Sequence, residues 1–570
     1  MKVVLTAINA KYIHSNLGIY SLRAYGEKMM REKGIGGTEI ELAEYTINQT
    51  REQVLSDLYR RKPDIIGFSC YIWNISFVRE LLADLSAILP DVRIWLGGPE
   101  TAGRGEEFLK YPGVDLIMTG EGERTFASLL ENPKPENWEQ IPGIVYQKDG
   151  RLQTNPPVSV MDMSQIPFPY RSVDPKDLEH RIIYYESSRG CPFSCAYCLS
   201  SLDKQIRFRD LSLVYEELEW FLHAKVPQVK FVVRTFNCKK SHAIAIWSYI
   251  LEHDNGTTNF HFEIAADLLD EEQLQLLSGM RPGLIQLEIG VQSVNPQTLQ
   301  TIRRKTDIRQ IAESVARINS WHNIHQQLDL IAGLPWEDLQ SFRRSFNQVY
   351  AMEPEQLQLG FLKLLKGSYM EELAPSCGIV CSAAPPYEVL KTKWLSYGDL
   401  LELKQVEEMT EVYYNSRQFT QTIRRLETEY DSPYAMFSDL ADFYERRGYQ
   451  EISHSRMARY EIFWEFVEEK GLQKEEYRDL LMCDLYLREN LKSRPSFARE
   501  LSPYKDAIRS FFQKEEAHPE YLTGYEGLTS RQMEKMAHLE PMGDGKMVLF
   551  DYKQRDPLSH NARCVVLAEV

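Results

Sequence analysis

Cys191-Pro-Phe-Ser-Cys195-Ala-Tyr-Cys198 sets three cysteines in C-x3-C-x-aromatic-C spacing. A compact loop of this kind can aim three thiolates at three corners of one iron–sulfur cubane. Such clusters are held by thiolates, usually four, so a three-cysteine set leaves one iron open to another ligand. Two other readings compete. Zinc would need a further Cys or His at finger-like spacing, and none stands nearby. A disulfide needs an oxidising compartment, and the start of the chain, Met1-Lys-Val-Val-Leu-Thr-Ala, reads as an opening strand with too short an apolar run for a signal peptide.

Downstream of the cysteines, strand and helix patterns alternate. Ile182–Ser188 is a β-rich run that delivers the chain to Cys191, and Val229–Val233, His261–Ala265, Leu284–Glu288, Gln326–Ile331 and Gln356–Leu364 read as further strands. Helical periodicity covers intervening stretches such as Leu211–His223, Ser241–His253, Ile308–Ser320 and Asp338–Met352. In a parallel barrel built this way, chemistry belongs at the carboxyl ends of the strands. Those ends carry Phe231–Asn237, then Glu263 and Asp267, then Glu288-Ile-Gly-Val-Gln292-Ser293, then Asp329-Leu-Ile-Ala-Gly333-Leu-Pro335 followed by Glu337.

Upstream, residues 1 to about 130 also alternate strands and amphipathic helices, the pattern of a parallel α/β sheet. Val3–Thr6, Glu39–Ala43, Asp64–Ser69, Arg93–Leu96 and Asp115–Met118 read as strands, with helices beginning near Leu17, Arg51, Ile75, Arg104 and Arg124. In such sheets ligands bind beyond the carboxyl ends of the strands. Here those ends are Asn9–His14, Ser69–Tyr71, Gly97-Gly98-Pro-Glu100 and Thr119-Gly120-Glu121-Gly122-Glu123. Glycines there let backbone approach a ligand closely, and helix N-termini favour anionic groups. There is no G-x-G-x-x-G after the first strand and no Walker A sequence. Residues 131–180 read as connector, with Ile144–Gln147 and Arg151–Thr154 joined by an Asp-Gly turn as a β-hairpin.

Taken together, these segments resemble the radical S-adenosylmethionine (SAM) superfamily. The cysteine spacing is that family's, with Tyr197 at its aromatic position. Residues 288–293 and 329–337 are similar to strand-end segments of the oxygen-independent coproporphyrinogen dehydrogenases, and the glycine-rich N-terminal third resembles the cobalamin-binding domain that precedes many radical SAM cores. The resemblance implies an α/β protein that begins with a Rossmann-like cobalamin-binding domain over 1–135, a connector over 136–180, and a partial (β/α)6 radical SAM barrel over 181–368. A mainly helical domain over 369–570, ending in a short β-hairpin, would follow.

It further implies a [4Fe–4S] cluster held by Cys191, Cys195 and Cys198, whose open iron SAM would chelate. Tyr197 and backbone around Gly333 would hold adenine. Glu263, Gln292 or Ser293 would meet ribose hydroxyls or the amine, and Arg303 or Arg304 would face the carboxylate. The corrinoid would lie against Ser69, Gly97, Gly98, Gly120, Glu121 and Gly122. Corrinoid proteins that ligate cobalt with histidine carry D-x-H-x-x-G, which this chain lacks. His14 is therefore expected to cap or pack locally, with the cobalamin base displaced and no histidine on cobalt. Val233 stands where related sequences place an acid.

Residues 370 to about 535 are rich in Glu, Leu, Lys, Arg and aromatics at helical spacing, as in Tyr460–Phe466, and the resemblance implies no chemistry there. Cys377 and Cys381 stand four apart with no further cysteine close by, and Met547–Tyr552 with Arg563–Leu567 reads as a terminal hairpin. The net charge of −16 argues against broad, non-specific phosphate or nucleic-acid binding, and no apolar run approaches membrane-spanning length. A cytoplasmic setting follows, because an exposed cluster needs a reducing compartment.

Three functions stay open from sequence. The first is a cobalamin-dependent radical SAM methyltransferase acting on an unactivated carbon of a small-molecule or peptide substrate. It would cleave SAM reductively to a 5′-deoxyadenosyl radical with electrons from a flavodoxin- or ferredoxin-type donor. The second is a radical SAM rearrangement, ring contraction or oxidation. The third is a non-catalytic iron–sulfur or corrinoid-binding sensor.

Overall fold

The structure, a computed structural model, describes residues 1–450, 452–543 and 545–567. The chain divides into two compact units, one comprising Met1–Glu288, Gln300–Asp307 and Leu362–Leu390, the other Ile289–Leu299, Ile308–Phe361 and Lys391–Val570.

The first unit opens with β1 (Lys2–Asn9), α1 (Leu17–Glu32), β2 (Glu39–Thr46), α2 (Arg51–Arg61), β3 (Ile65–Ser69), α3 (Ile75–Ile88), β4 (Arg93–Gly97), α4 (Gly105–Phe108), β5 (Val114–Met118) and α5 (Gly122–Glu131). The hairpin β6 (Ile144–Lys148) and β7 (Arg151–Thr154) follows. The seven strands form one sheet, ordered β2-β1-β3-β4-β5-β6-β7. β1 pairs parallel with both β2 and β3, and its near-continuous apolar run Val3-Val4-Leu5-Thr6-Ala7-Ile8 is buried throughout. This is what a strand covered on both faces requires. On one face Val54, Leu58, Val78, Leu81 and Leu82 of α2 and α3 pack onto Val4, Ile8, Ile66 and Leu96. α1, capped by the Asn16 side chain, approaches α5 so closely that a Cβ on Gly26 would lie 3.0 Å from Phe126 and Leu130. The hairpin expected as connector is the antiparallel edge of this sheet, because Leu116, Ile117 and Met118 of β5 pair with Tyr146, Val145 and Ile144. α4 is a single four-residue turn that starts beside Arg104, where a helix is expected to begin.

The chain then forms β8 (Ile182–Tyr185), the short strands β9 (Ser188–Arg189) and β10 (Arg207–Phe208), α6 (Leu211–His223), β11 (Gln228–Phe231), α7 (Lys240–Glu252), β12 (Asn259–Ile264), α8 (Glu271–Ser278) and β13 (Ile285–Gln292). There follow α9 (Pro296–Thr301), α10 (Ile308–Asn319), β14 (His325–Ala332), α11 (Leu339–Tyr350) and β15 (Gln356–Phe361). The strands β8, β11, β12, β13, β14 and β15 stand in sequential order in one sheet, the partial (β/α)6 barrel of the expectation. The unit boundary falls within β13. α10 buries Ile311, Val315 and Ile318, and α11 buries Phe342, Phe346 and Val349, the narrow apolar stripe of a surface helix.

After α12 (Tyr369–Cys377) and the two-stranded β16 (Val380–Cys381) and β17 (Val389–Lys391), the second unit continues with α13 (Tyr397–Thr410), α14 (Thr420–Glu427), α15 (Pro433–Arg447), α16 (Arg456–Lys470), α17 (Lys474–Arg488), α18 (Lys505–Ala517) and α19 (Ser530–Met536). The aromatic stripes are core: Tyr413, Phe419, Tyr460 and Phe463 are all buried, and the Phe419 and Tyr460 rings lie 4.4 Å apart. Asp484 of α17, 1% exposed, caps α14 by accepting from the Gln421 and Thr422 amides at 3.0 and 2.9 Å. The terminal strands form a three-stranded sheet of β18 (Ala537–Pro541), β19 (Met547–Arg555) and β20 (Ala562–Leu567). One strand more than the expected hairpin is present, since Ala537–Pro541 pairs along β19.

Candidate functional site

The order β2-β1-β3 puts a topological switch point between β1 and β3, where the loops leaving the two strands diverge and open a crevice. A cavity of about 680 Å³ lies there. Its first wall is made by the strand-end loops of the seven-stranded sheet and includes Ser69, Gly97, Gly98, Gly120, Glu121 and Gly122. All six residues assigned to a corrinoid from sequence are thus brought together. Gly98 has φ +108, and a Cβ there would sit 2.4 Å from the Cys70 carbonyl oxygen, so only bare backbone fits at this wall. Room of this size behind a glycine-lined crevice fits a cofactor, whose pockets run to roughly 300–1,000 Å³.

The opposite wall comes from the barrel: Tyr184, Glu186, Ser188, Arg189, Gly190, Val232 and Arg234. Ser200 and Asp203, which follow the cysteine segment, also line it. One cavity is therefore bounded by the sheet's strand-end loops and by the loop that carries the cysteines.

Trp73, which also lines the cavity, was not singled out from sequence. Tyr71 and Trp73 stack at 4.4 Å and an interplanar angle of 7° on the loop after β3, and the Trp73 indole N–H donates to the Ile8 carbonyl. The position of Trp73 beyond a strand's carboxyl end was the available signal. His14 does not pack locally as expected. Its Nδ1 lies 2.8 Å from the Tyr184 hydroxyl on β8, and its ring lines the cavity. Burial lowers its pKa, with Lys11 and Lys230 adding to the effect.

Cys191 and Cys195 are buried and Cys198 half-buried, and none of the three is in a disulfide. Burial raises the Cys191 pKa, opposed by the Phe193 amide and the Thr235 hydroxyl. Among the described residues no three His, Cys, Asp or Glu side chains converge on a single metal ion. A cubane does not ask for that, because each thiolate binds a different iron. The donor set, soft thiols from one loop, fits the cluster. The loop is anchored on both sides: the Ala196 amide donates to the Ile302 carbonyl at 2.8 Å, and the Met370 amide donates to the Ala196 carbonyl at 2.8 Å. Arg304 reaches both the Cys195 sulfur (3.7 Å) and the Tyr197 hydroxyl (3.4 Å). Burial raises the Tyr197 pKa against the opposing Arg304 charge. Arg303 instead lies over the Tyr369 ring at 3.3 Å.

Inside the barrel, Glu288 accepts from Lys230 at 2.8 Å and bonds His261 at 3.0 Å. Burial favours its neutral form, yet these two partners outweigh it and hold Glu288 below the usual carboxylate range. Glu263 pairs with Arg234 at 4.0 Å, and burial pushes its pKa up. Two carboxyls on neighbouring strands are thus driven apart in proton affinity, a pattern that marks sites of acid–base or ligand chemistry.

In the second unit, Gln292 ends β13 with φ +72, and its side-chain oxygen is buried with no partner among the described residues. Such an orphaned acceptor awaits a donor. Ser293 is fully buried and spent internally: its hydroxyl donates to Glu337 at 2.9 Å and accepts from the Asn295 amide at 3.0 Å. Ser345 donates to the same Glu337 oxygen at 2.7 Å. Gly333 begins the loop after β14 with φ +90, and the Pro335 carbonyl that follows accepts from Thr298 at 2.8 Å.

Residues 3–130 match the B12 binding domain, residues 185–348 the radical SAM superfamily, and residues 376–556 a family described as a protein of unknown function, DUF4080. The chain is 25% identical over 309 residues to the 2-(S-pantetheinyl)-carbapenam-3-carboxylate methyltransferase of Streptantibioticus cattleyicolor, covering 49% of this chain and 44% of the relative. It is 26% identical over 309 residues to the anaerobic magnesium-protoporphyrin IX monomethyl ester cyclase of Synechocystis, covering 51% and 60%. The chain thus spans between two-fifths and three-fifths of the length of these relatives. In fold it is similar to the cobalamin-dependent SAM radical enzyme OxsB with aqua-cobalamin and SAM bound, with a TM-score of 0.59 at 16% identity, over 85% of this chain and 78% of that one.

Proposed function

We propose, from the premise that this chain is a radical SAM protein with a B12-binding domain, that it is a methyltransferase acting on an unactivated carbon. The observation that carries the reading is the single cavity walled on one side by the corrinoid-type strand-end loops and on the other by the cysteine-bearing loop. A carrier of a methyl group seated there would lie beside the source of the radical. The methyltransferase relative supports the same reading.

When bound, the cluster supplies the electron that cleaves SAM and cobalamin supplies the methyl group; such cofactors carry the hard chemistry, while protein binds, orients and excludes water. In this proposal Cys191, Cys195 and Cys198 ligate the cluster. Ser69, Gly97, Gly98 and Gly120–Gly122 bear on the corrinoid. Tyr197 and Gly333 face adenine, and Glu263 and Gln292 bind polar groups of SAM. Ser293 acts one step back, holding Glu337 and the strand end in register. Among the described residues no helix is long and apolar enough to cross a membrane. A cytoplasmic enzyme reduced by a flavodoxin- or ferredoxin-type donor completes the proposal.

The cyclase relative favours one competing reading, a radical reaction on a carbon skeleton without methyl transfer. Anaerobic reconstitution with iron, sulfide and hydroxocobalamin, followed by assay of SAM products, separates the two. Methyl transfer gives S-adenosylhomocysteine only in the presence of cobalamin. Formation of 5′-deoxyadenosine with no cobalamin-dependent S-adenosylhomocysteine would reject the methyltransferase proposal.

A further inference from the structure

Arg189 and Arg207 are directly paired residues of the β9–β10 ladder that opens and closes the cysteine loop. The ladder closes tightly. Gly190 has φ +91, a Cβ on it would lie 2.6 Å from the Gln205 carbonyl oxygen, and the Cys191 amide donates to the Asp203 carbonyl at 3.1 Å. The cysteine loop cannot shift without moving this ladder.

Both guanidinium groups reach across to the acidic turn at the start of α5. Arg189 pairs with Glu123 at 2.6 Å and with Glu121 at 3.5 Å, and Arg207 pairs with Glu121 at 2.5 Å. Within their own segment, Arg189 also holds Glu186 at 2.8 Å and Arg207 holds Asp203 at 2.9 Å. The arginine side chains are only 15% and 14% exposed, and that of Glu123 is 5% exposed. Glu123 is further fixed by the Ser21 hydroxyl of α1 at 2.8 Å. Glu121, Gly122 and Glu123 at one end of this network, and Arg189 and Gly190 at the other, line the same cavity. A buried ion network adds little net stability over apolar residues of equal volume, and its best-attested use is to fix register. Losing one arginine would leave buried carboxylates uncompensated.

We propose that Arg189 and Arg207 are positioning residues that couple the two cofactor sites. Seating a corrinoid against the 120–123 turn orders the ladder carrying the cysteine loop, and filling the cysteine loop raises the affinity of the cavity for the corrinoid. Binding linkage of this kind is reciprocal. The inference rests on the assignment of a corrinoid to the cavity and a cluster to the three cysteines.

The test uses the full chain under anaerobic conditions. Hydroxocobalamin is titrated by difference absorbance into cluster-free protein and into protein reconstituted with iron and sulfide, and the ratio of the two dissociation constants is read. The wild-type chain should bind at least about five-fold more tightly once reconstituted, the lower end of typical coupling. In R207Q and R189K the ratio should fall toward unity while each cofactor still binds. E121Q, which removes charge without removing an arginine, should lower the ratio too and serves if an arginine variant fails to fold. Uptake of both cofactors with a ratio of one in the wild type, or an unchanged ratio in the variants, would overturn the coupling alone. Failure of the wild type to take up either cofactor would overturn the assignment beneath it as well.

Discussion

Replacing Glu337 by Gln should stabilise the second unit in alkali and change little in acid. The Glu337 side chain is fully buried, its Oε1 accepts from Ser293 and Ser345, and its Oε2 has no partner among the described residues. Burial is the largest influence on its proton; it outweighs the two hydroxyl donors and brings the carboxyl from the ordinary 4.5 up to about 7. A carboxyl raised in this way keeps its proton longer in the folded chain than in the unfolded one. Its contribution is fully present below pH 4.5, declines as pH rises to about 7, and is lost above that window. At about 1.4 kcal/mol per pKa unit, the ceiling of the effect is about 3 kcal/mol. Gln retains an acceptor for both serines and cannot ionise. Urea unfolding followed by far-ultraviolet circular dichroism should find E337Q and wild type within about 1 kcal/mol near pH 5. Near pH 8 the variant should be the more stable by up to about 3 kcal/mol. A variant less stable than wild type by the same margin at both pH values would refute the reasoning, since it would mean that a charged carboxylate is what the fold uses.

Three further outcomes are expected. Replacing Cys191, Cys195 and Cys198 together by Ala should abolish iron uptake and the visible absorbance of the reconstituted protein; iron retained at the wild-type level would remove the ligand assignment. Gly98→Ala should destabilise the first unit by about 1–3 kcal/mol from backbone conformation alone, and its Cβ against the Cys70 carbonyl should also deprive the protein of hydroxocobalamin binding, measured by equilibrium dialysis. Asp484→Ala leaves the amide and hydroxyl groups at the start of α14 without their acceptor and should cost about 2–3 kcal/mol in urea unfolding, with no effect on iron content.

The architecture was legible wherever a local signal sufficed. The apolar runs of β1, β3, β4 and β5 and the stripes of α10 and α11 follow from burial on two faces or one, and that periodicity is written in neighbouring residues. The strand-end rule likewise gathered Ser69, Gly97, Gly98 and Gly120–Gly122 around one cavity. What escaped depends on partners distant in sequence. The 144–154 hairpin gave its turn away but not its pairing with β5, and β18 is a strand only because β19 lies beside it. Ser293 looks free to meet a ligand until Glu337 and Asn295 claim its hydroxyl. His14 meets Tyr184 across 170 residues, and the Arg189–Glu123 pair spans 66. No local pattern encodes such pairs; they arise where two sheets present their strand ends to each other.

The central claim is that one cavity brings a radical source and a methyl carrier together, and product analysis of SAM turnover tests it most directly. Reduced chain carrying both cluster and cobalamin is incubated with SAM, and S-adenosylhomocysteine and 5′-deoxyadenosine are quantified by mass spectrometry beside cobalamin-free and cluster-free controls. The account predicts 5′-deoxyadenosine only when the cluster is present, and S-adenosylhomocysteine only when cobalamin is. Absence of 5′-deoxyadenosine from the fully loaded, reduced chain, or S-adenosylhomocysteine formation indifferent to cobalamin, would contradict it.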